Sequence, residues 1–383
     1  MTTGAIARVR LGSYRFPFRE PWPSSEGAQT AREGIFVVLE DDEGLLGAGE
    51  SAPFPGFGME SLGSSLSALR LAARFALGLP AEHFLAAADD LPRLAPVVAS
   101  PGARAALDLA LHDLAARREG VTIARLLGGP GAATSVGANA VLPRLAAGAA
   151  AEAARAAVAA GARTVKLKVG GAPIAEDVDR VRAVREAVGP GIALRVDANQ
   201  AWSESEAVEA LRALAPLGLE YAEQPVPAGA IEAMARVRAA GGVAIAADES
   251  LADLRAARRL IGARAADVFV VKPMALGGLA ASRAVIEIAR NAGIGVTVTS
   301  LLESAVGRAG ALHLAASLGA GEAGGAGRGD HGLATGGALA EDLVADFATR
   351  PGPIPLPSGA GLGDAIRDAA LARTEPIRVE EPA

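Results

Sequence analysis

From about residue 135 to residue 300 the chain repeats itself in length rather than in letters. Short apolar runs, VGANAVL, TVKLKVG, IALRVDAN, LEYAEQP, VAIAADES, DVFVVKP and GIGVTVTS, alternate with stretches rich in Ala, Arg and Glu that have helical spacing. Polar markers fall at Lys168, Asp197, Glu223, Asp248, Lys272 and Ser300, separated by 29, 26, 25, 24 and 28 positions. Each interval is the length of one strand, one helix and two loops. Seven such units, with a weaker eighth after Leu318, predict a (β/α)8-type barrel. A doubly wound sheet would alternate in the same way, but it would carry a Gly-rich nucleotide loop after its first strand, and none is present.

The flanks have a different texture. AIARVRLGSYRF and GIFVVLEDDEGLLGAGES read as strands about a solvated acidic turn at Glu40–Glu43. ESLGSSLSALRLAARFALG and GARAALDLALHDLAARREG read as helices, and GGPGAAT as a linker. The expected organisation is an α+β capping domain with a lid loop over 1–130, a barrel over 131–345, and a segment over 346–383 that returns to the capping domain. The lid is ESAPFPGFGMESL, with Gly56 and Gly58 for mobility and Phe54 and Phe57 to cover the mouth.

With 51% hydrophobic residues, a large core needs few aromatics. The absence of cysteine excludes disulfides, zinc–thiolate sites and a cysteine nucleophile, and suits a reducing cytoplasm. A net charge of −6, mixed along the chain, argues against a nucleic-acid surface. The N-terminus lacks an apolar run behind a basic start, so no signal peptide is expected. The charge-free stretch at 126–143 is broken by Gly and Pro and does not read as a membrane span. A soluble cytoplasmic protein acting on a small molecule, with neither nucleic acid nor membrane as partner, is the expectation.

The strand ends carry the chemistry. Of 37 basic residues only three are lysine, Lys166, Lys168 and Lys272, and all lie in the apolar runs. Codon bias explains abundant arginine but not where lysine survives. Alternation puts Lys166 and Lys168 on one strand face, and Asp197 and Asn199 on another. If these faces point inward, the barrel mouth collects three carboxylates and three lysines. Crowded carboxylates repel unless a divalent cation lies among them, and oxygen-only ligands favour a hard ion such as Mg²⁺. None of His83, His112, His313 and His331 falls at these strand ends, which counts against zinc. A cation holding a substrate carboxylate would stabilise the enediolate formed when the α-proton leaves. Lysine can serve as the base for that step, whereas arginine cannot lose its proton in a protein. The blander readings are that Asp248, in ADES, begins an N-cap box, that Asn199, Glu249 and Ser250 are supporting or capping groups, that His313 packs a helix, and that His112 lies on a helix surface.

KLK, VDAN, EQP, ADES and VVKP, in this order and spacing, resemble the motifs of the enolase superfamily, specifically its muconate-lactonizing-enzyme subgroup. The resemblance covers nearly the whole chain and implies an α/β protein: a modified (β/α)7β TIM-type barrel with an N-terminal α+β capping domain. It implies Mg²⁺ on Asp197, Glu223 and Asp248, with Mn²⁺ able to substitute. Lys168 and Lys272 would be the acid/base groups on opposite faces of a small carboxylate substrate, and Lys166 would tune Lys168 and touch the bound carboxylate. Barrels of this kind often assemble as homo-oligomers.

Within the subgroup, NAVLP, KPMALGGL, TSLLESAVGRAGALHLAASL, HGLATGGALAEDL and PLPSGAGLG look like o-succinylbenzoate synthase. That implies dehydration of 2-succinyl-6-hydroxy-2,4-cyclohexadiene-1-carboxylate in menaquinone biosynthesis, with Lys168 as base and Lys272 remaining charged. Ser300 and Glu303 are candidates for contact with the distal part of the substrate. N-acylamino acid racemase, dipeptide epimerase and muconate cycloisomerase activities use the same scaffold. GRGDHGLATGG lacks the Asp-x-Asp of dipeptide epimerases, and no histidine stands in for a lysine base as in sugar-acid dehydratases. Outside the superfamily, the rivals are a metal-independent Schiff-base lyase using Lys272 and a non-catalytic barrel.

Overall fold

The computed structural model describes residues 4–24, 27–80, 95–319 and 329–377. His83 and most of the Gly-rich stretch before Gly329 lie outside the described residues. A long antiparallel hairpin, β1 (Ile6–Ser24) and β2 (Gly27–Asp41), continues into β3 (Leu46–Ser51). Two helices, α1 (Leu62–Ala76) and α2 (Pro101–Arg118), bury Leu69, Ala72, Leu107 and Leu114 against Ile35, Val37 and Leu39 of that sheet. Ser61 and Ser100 cap their N-termini, and Pro101 occupies the first turn of α2, where no backbone donor is needed. Gly47 and Gly49 let α2 lie directly on β3: a Cβ at either would stand 2.1 or 1.9 Å from the carbonyl oxygens of Ala110 and Ala106.

The expected solvated turn is a structural site instead. Asp41 is buried, its Oδ1 accepts from the N–H groups of Glu43 (3.0 Å) and Leu45 (2.8 Å), and Arg118 pairs with Oδ2.

After α3 (Ile123–Gly128) the chain enters the repeating units. The strands are β4 (Ser135–Ala138), β5 (Ala140–Leu142), β6 (Thr164–Lys168), β7 (Ala193–Asp197), β8 (Leu219–Glu223), β9 (Ile245–Ala247), β10 (Val268–Val271) and β11 (Gly295–Val298). Between them come α4 (Ala147–Ala159), α5 (Ile174–Val188), α6 (Glu204–Leu214), α7 (Ile231–Gly241), α8 (Leu254–Gly262) and α9 (Leu279–Asn291), with α10 (Ala305–Ser317) after β11. β5 to β11 form one parallel seven-stranded sheet in sequence order. The gap between the end of β11 and the end of β4 is spanned by two isolated parallel bridges, Ala138↔His331 and Thr299↔Gly332. The weak eighth unit is therefore this short segment, held by His331 N to Gly137 O (2.7 Å) and Gly332 N to Val298 O (2.9 Å).

Strand alternation separates two cores. Val165, Leu167, Leu194 and Val196 face the helices, whereas Tyr221, Ala246, Val268 and Val270 fill the barrel interior. The chain then returns: β12 (Gly352–Pro355) pairs with β4, α11 (Asp364–Leu371) follows, and β13 (Glu375–Pro376) joins the edge of the first sheet beside β1. No helix among the described residues is long and apolar enough to cross a membrane.

Candidate active site

Parallel register brings the polar strand ends to one level. Lys168 is paired with Asp197, and Asp197 with Glu223. Asp248 follows β9 and Lys272 follows β10, so the C-terminal mouth reads Lys, Asp, Glu, Asp, Lys across five neighbouring strands. Lys166 Nζ lies between two of the acids, donating to Glu223 Oε1 (2.8 Å) and Asp197 Oδ2 (3.1 Å). Lys168 Nζ donates to Asp197 Oδ2 (2.7 Å) and Asn199 Oδ1 (2.6 Å). On the far side Lys272 Nζ donates to Asp248 Oδ2 (2.7 Å) and lies 2.6 Å from Oδ1.

Burial acts on all three acids, and their neighbours decide the outcome. For Asp197 burial opposes ionisation, but Lys166 and Lys168 override it and hold the carboxyl well below the usual range. Glu223 is pushed up to about 7, chiefly by burial and then by the charge of Asp197. Burial also lifts Asp248, to about 6, against the pull of Lys272 and with repulsion from Glu249 and Asp197. Lys166 is raised well above the ordinary lysine value, because Glu223 and Asp197 outweigh its desolvation. Lys166 is expected to tune Lys168 and touch the bound carboxylate; here its ammonium is bound to Glu223 and Asp197.

The loops beyond the strands hold these groups in place. Asn199, Gln200 and Gln224 have φ of 43°, 66° and 38°, the left-handed region that costs a non-glycine residue energy and clusters at functional sites. Asn199 N donates to Asp197 Oδ1 (3.0 Å), and its side-chain amide reaches Glu249 Oε1 (3.4 Å). Gln224 was missed in the sequence, although it stands beside Glu223. Its Oε1 accepts from Asp248 N (3.0 Å) and Ser250 N (3.1 Å), and its Nε2 donates to Ser250 Oγ (2.8 Å), joining the ends of β8 and β9. Asp248 does not cap the next helix; Asp253 does, accepting from Ala256 N (2.6 Å).

The weaker candidates have partners of their own. Ser300 Oγ bonds to Thr335 Oγ1 (2.7 Å). Glu303 is buried; it accepts from Leu301 N (2.7 Å) and lines a cavity of about 20 Å³ with Glu50, Leu109 and Met274, between capping domain and barrel. Glu50, unmarked in the sequence reading, bonds to Tyr14 and accepts from Ser304 N (2.9 Å), Ser304 Oγ (2.6 Å) and Gly307 N (2.8 Å), which ties β3 to the start of α10. His112 is partly buried beside Asp108, and His313 is a fully buried packing residue. The lid loop does reach the mouth: the Phe57 ring centroid lies 3.9 Å from Lys272 Nζ.

Among the described residues, no three acidic or histidine side chains are gathered at metal-binding distance, and the Lys166 ammonium lies between Asp197 and Glu223. The donor set nevertheless fits a hard dication. It offers oxygen only, the acids are almost fully buried, and Glu223 and Asp248 repel Asp197 in a way that a central positive charge would relieve.

Two family models match this chain: Enolase C-terminal domain-like over residues 149–370, and Mandelate racemase / muconate lactonizing enzyme, N-terminal domain, over residues 8–128. The chain belongs to the enolase superfamily. Within the superfamily it is in the mandelate racemase/muconate lactonizing group. It is 33% identical to the N-succinyl-L-Arg/Lys racemase of Bacillus cereus, over 82% of this chain and 84% of that one. It is 35% identical to chloromuconate cycloisomerase CbnB of Cupriavidus necator, over 75% of this chain and 78% of that one. The solved structure of a dipeptide epimerase from Enterococcus faecalis, complexed with Mg and the dipeptide L-Leu-L-Tyr, has a TM-score of 0.82 and 30% identity, covering 94% of this chain and 99% of that one. These relatives are a racemase, a cycloisomerase and an epimerase, and none is an o-succinylbenzoate synthase. The superfamily expectation holds, while the comparisons favour the alternatives to the synthase.

Proposed function

We propose that this superfamily member catalyses Mg²⁺-dependent 1,1-proton transfer at the α-carbon of an N-acyl amino acid. The observation that carries the reading is the position of Lys168 and Lys272, on strand ends that flank the three acid-bearing strands from opposite sides. Asp197, Glu223 and Asp248 would hold the ion, which supplies electrostatic relief for charge building on the substrate carboxylate as the α-proton leaves. Lys168 then removes the proton from one face and Lys272 returns one to the other, each as a positioned general base or acid. Asn199 and Asp197 orient Lys168, while Lys166 adds positive charge beside the substrate carboxylate.

A dipeptide substrate is less well supported. Asp330 is buried and paired with Arg163, and the bridged inward position of the closing segment, Gly332, offers no carboxylate for an ammonium group. The test is α-proton exchange in D₂O with each enantiomer of N-acetyl-leucine. Both should exchange, and Lys168→Ala and Lys272→Ala should each abolish exchange from a different enantiomer. Exchange from one enantiomer only, abolished by a single lysine variant, overturns the two-base reading.

One contact favours a second reading, the dehydration expected from the sequence. Phe57 places its ring face over Lys272, which attracts an ammonium group. A Lys272 that remains charged leaves Lys168 as sole base, the requirement of a one-base elimination. Turnover of the cyclohexadiene carboxylate that survives Lys272→Arg would favour that reading.

A further inference from the structure

Charge at the inward strand positions of the barrel mouth is confined to one half, and the cation that follows β5, Arg144, is turned to Val169 O (3.0 Å). β6 to β10 deliver the lysines and acids, whereas the inward positions of β11, the closing segment and β4–β5 are Thr297, Thr299, Gly332, Asn139 and Val141. The polar members of this set are already bound: Thr297 accepts from Tyr221 (3.5 Å), Thr299 Oγ1 donates to Gly332 O (2.7 Å), and Asn139 Oδ1 accepts from Arg195 (3.2 Å). Val141 is paired in register with Lys166 and so faces the mouth, yet it is 45% exposed. An apolar side chain left open inside an otherwise packed barrel, beside a reacting centre, is a surface for a ligand.

We infer that this uncharged half receives an apolar part of the substrate with Val141 at its centre, so that the preferred substrates carry no charge beyond the reacting carboxylate. The inference rests on the proposed proton transfer and names its substrate class. A second carboxylate or an ammonium laid against this wall would lose its hydration without gaining a partner.

The experiment compares three probes by α-proton exchange in D₂O, using the full chain with Mg²⁺: N-acetyl-L-leucine, N-succinyl-L-leucine and L-alanyl-L-leucine. N-acetyl-L-leucine should exchange faster than either charged probe by about tenfold or more. Val141→Lys should shift the ranking toward the succinyl probe and Val141→Asp toward the dipeptide. A wild-type preference for a charged probe, or a flat ranking, overturns this inference and leaves the proton-transfer reading standing; these outcomes need no variant to fold. A ranking unchanged by both Val141 variants removes Val141 from the wall and overturns the inference as stated. No exchange with any probe overturns the proton-transfer reading and this inference with it.

Discussion

On β7 the inward side chains are Arg195 and, two residues further on, Asp197, and they belong to different networks. Arg195, at the barrel floor, is fully buried. Its Nε donates to Glu220 Oε2 (2.7 Å), its Nη1 to Asp330 O (2.7 Å) and Asn139 Oδ1 (3.2 Å), and its guanidinium lies 4.7 Å from the Tyr221 ring. One cation meets one carboxylate and neutral oxygens in a fixed fork. At the mouth, three ammonium groups share three crowded acids, two of which titrate near neutrality. A guanidinium keeps its charge and holds geometry, whereas an ammonium can give up a proton. On the proposed mechanism the rarity of lysine in this sequence follows the same division: arginine serves the fold, and lysine stands where a proton would move.

The largest effect that would break this division is a Lys168→Arg variant that works. The expected result is a loss of α-proton exchange of about a thousandfold or more, with stability changed by no more than about 1 kcal/mol because Lys168 is partly solvated. Rates by NMR and stability by urea unfolding check the two halves. Arg195→Met should do the reverse. Removing one partner of a buried pair should cost about 3–5 kcal/mol in urea unfolding, while the folded fraction keeps its exchange rate within a few-fold. A loss below about 1 kcal/mol would mean that the floor is not structural.

Much of the barrel was legible because every unit repeats the same local pattern. TVKLK and ALRVD each state in five letters which face meets helices and which meets the interior. What was not legible depends on partners distant in sequence. Asp41 reads as a surface turn until Arg118, 77 positions away, covers it. Glu303 sits at a strand end like the site acids, yet Glu50 of the capping domain turns its surroundings into an interface. The closing segment bonds through two isolated bridges, too short for any periodicity to announce. The lysine and acid motifs specify the chemistry of the superfamily, whereas the choice of substrate depends on side chains such as Val141 whose letters carry no chemical signature.

A smaller effect separates fold from site by pH. His313 and His331 lie outside the lysine–acid cluster, and burial pushes both down to about 4. Their folded values lie below the unfolded one near 6.5, so between these limits the unfolded chain binds the protons and the native chain does not. The contribution of the two histidines should therefore be full above about pH 6.5 and fall as pH drops toward 4, by about 2 kcal/mol per histidine at pH 5, while the raised acids Glu223 and Asp248 act in the opposite direction. Urea unfolding at pH 7 and pH 5 measures the difference, and His313→Gln should make it smaller. A stability that rises on acidification over this range would show that the crowded acids at the mouth, not the buried histidines, dominate.

The smallest effect contrasts two aspartates of one loop, Asp248 and Asp253. Asp253 caps α8 from outside the mouth, so Asp253→Ala should cost about 1 kcal/mol of stability and leave proton exchange unchanged. Asp248 is buried against Lys272, so Asp248→Asn should abolish exchange. It should also cost stability, because a carboxyl raised to about 6 is still mostly ionised at pH 7 and the amide leaves the buried Lys272 ammonium without its counter-charge. An Asp253→Ala variant that lost exchange while keeping its stability would place the chemistry on the wrong aspartate, and with it the assignment of the acids that face Lys272.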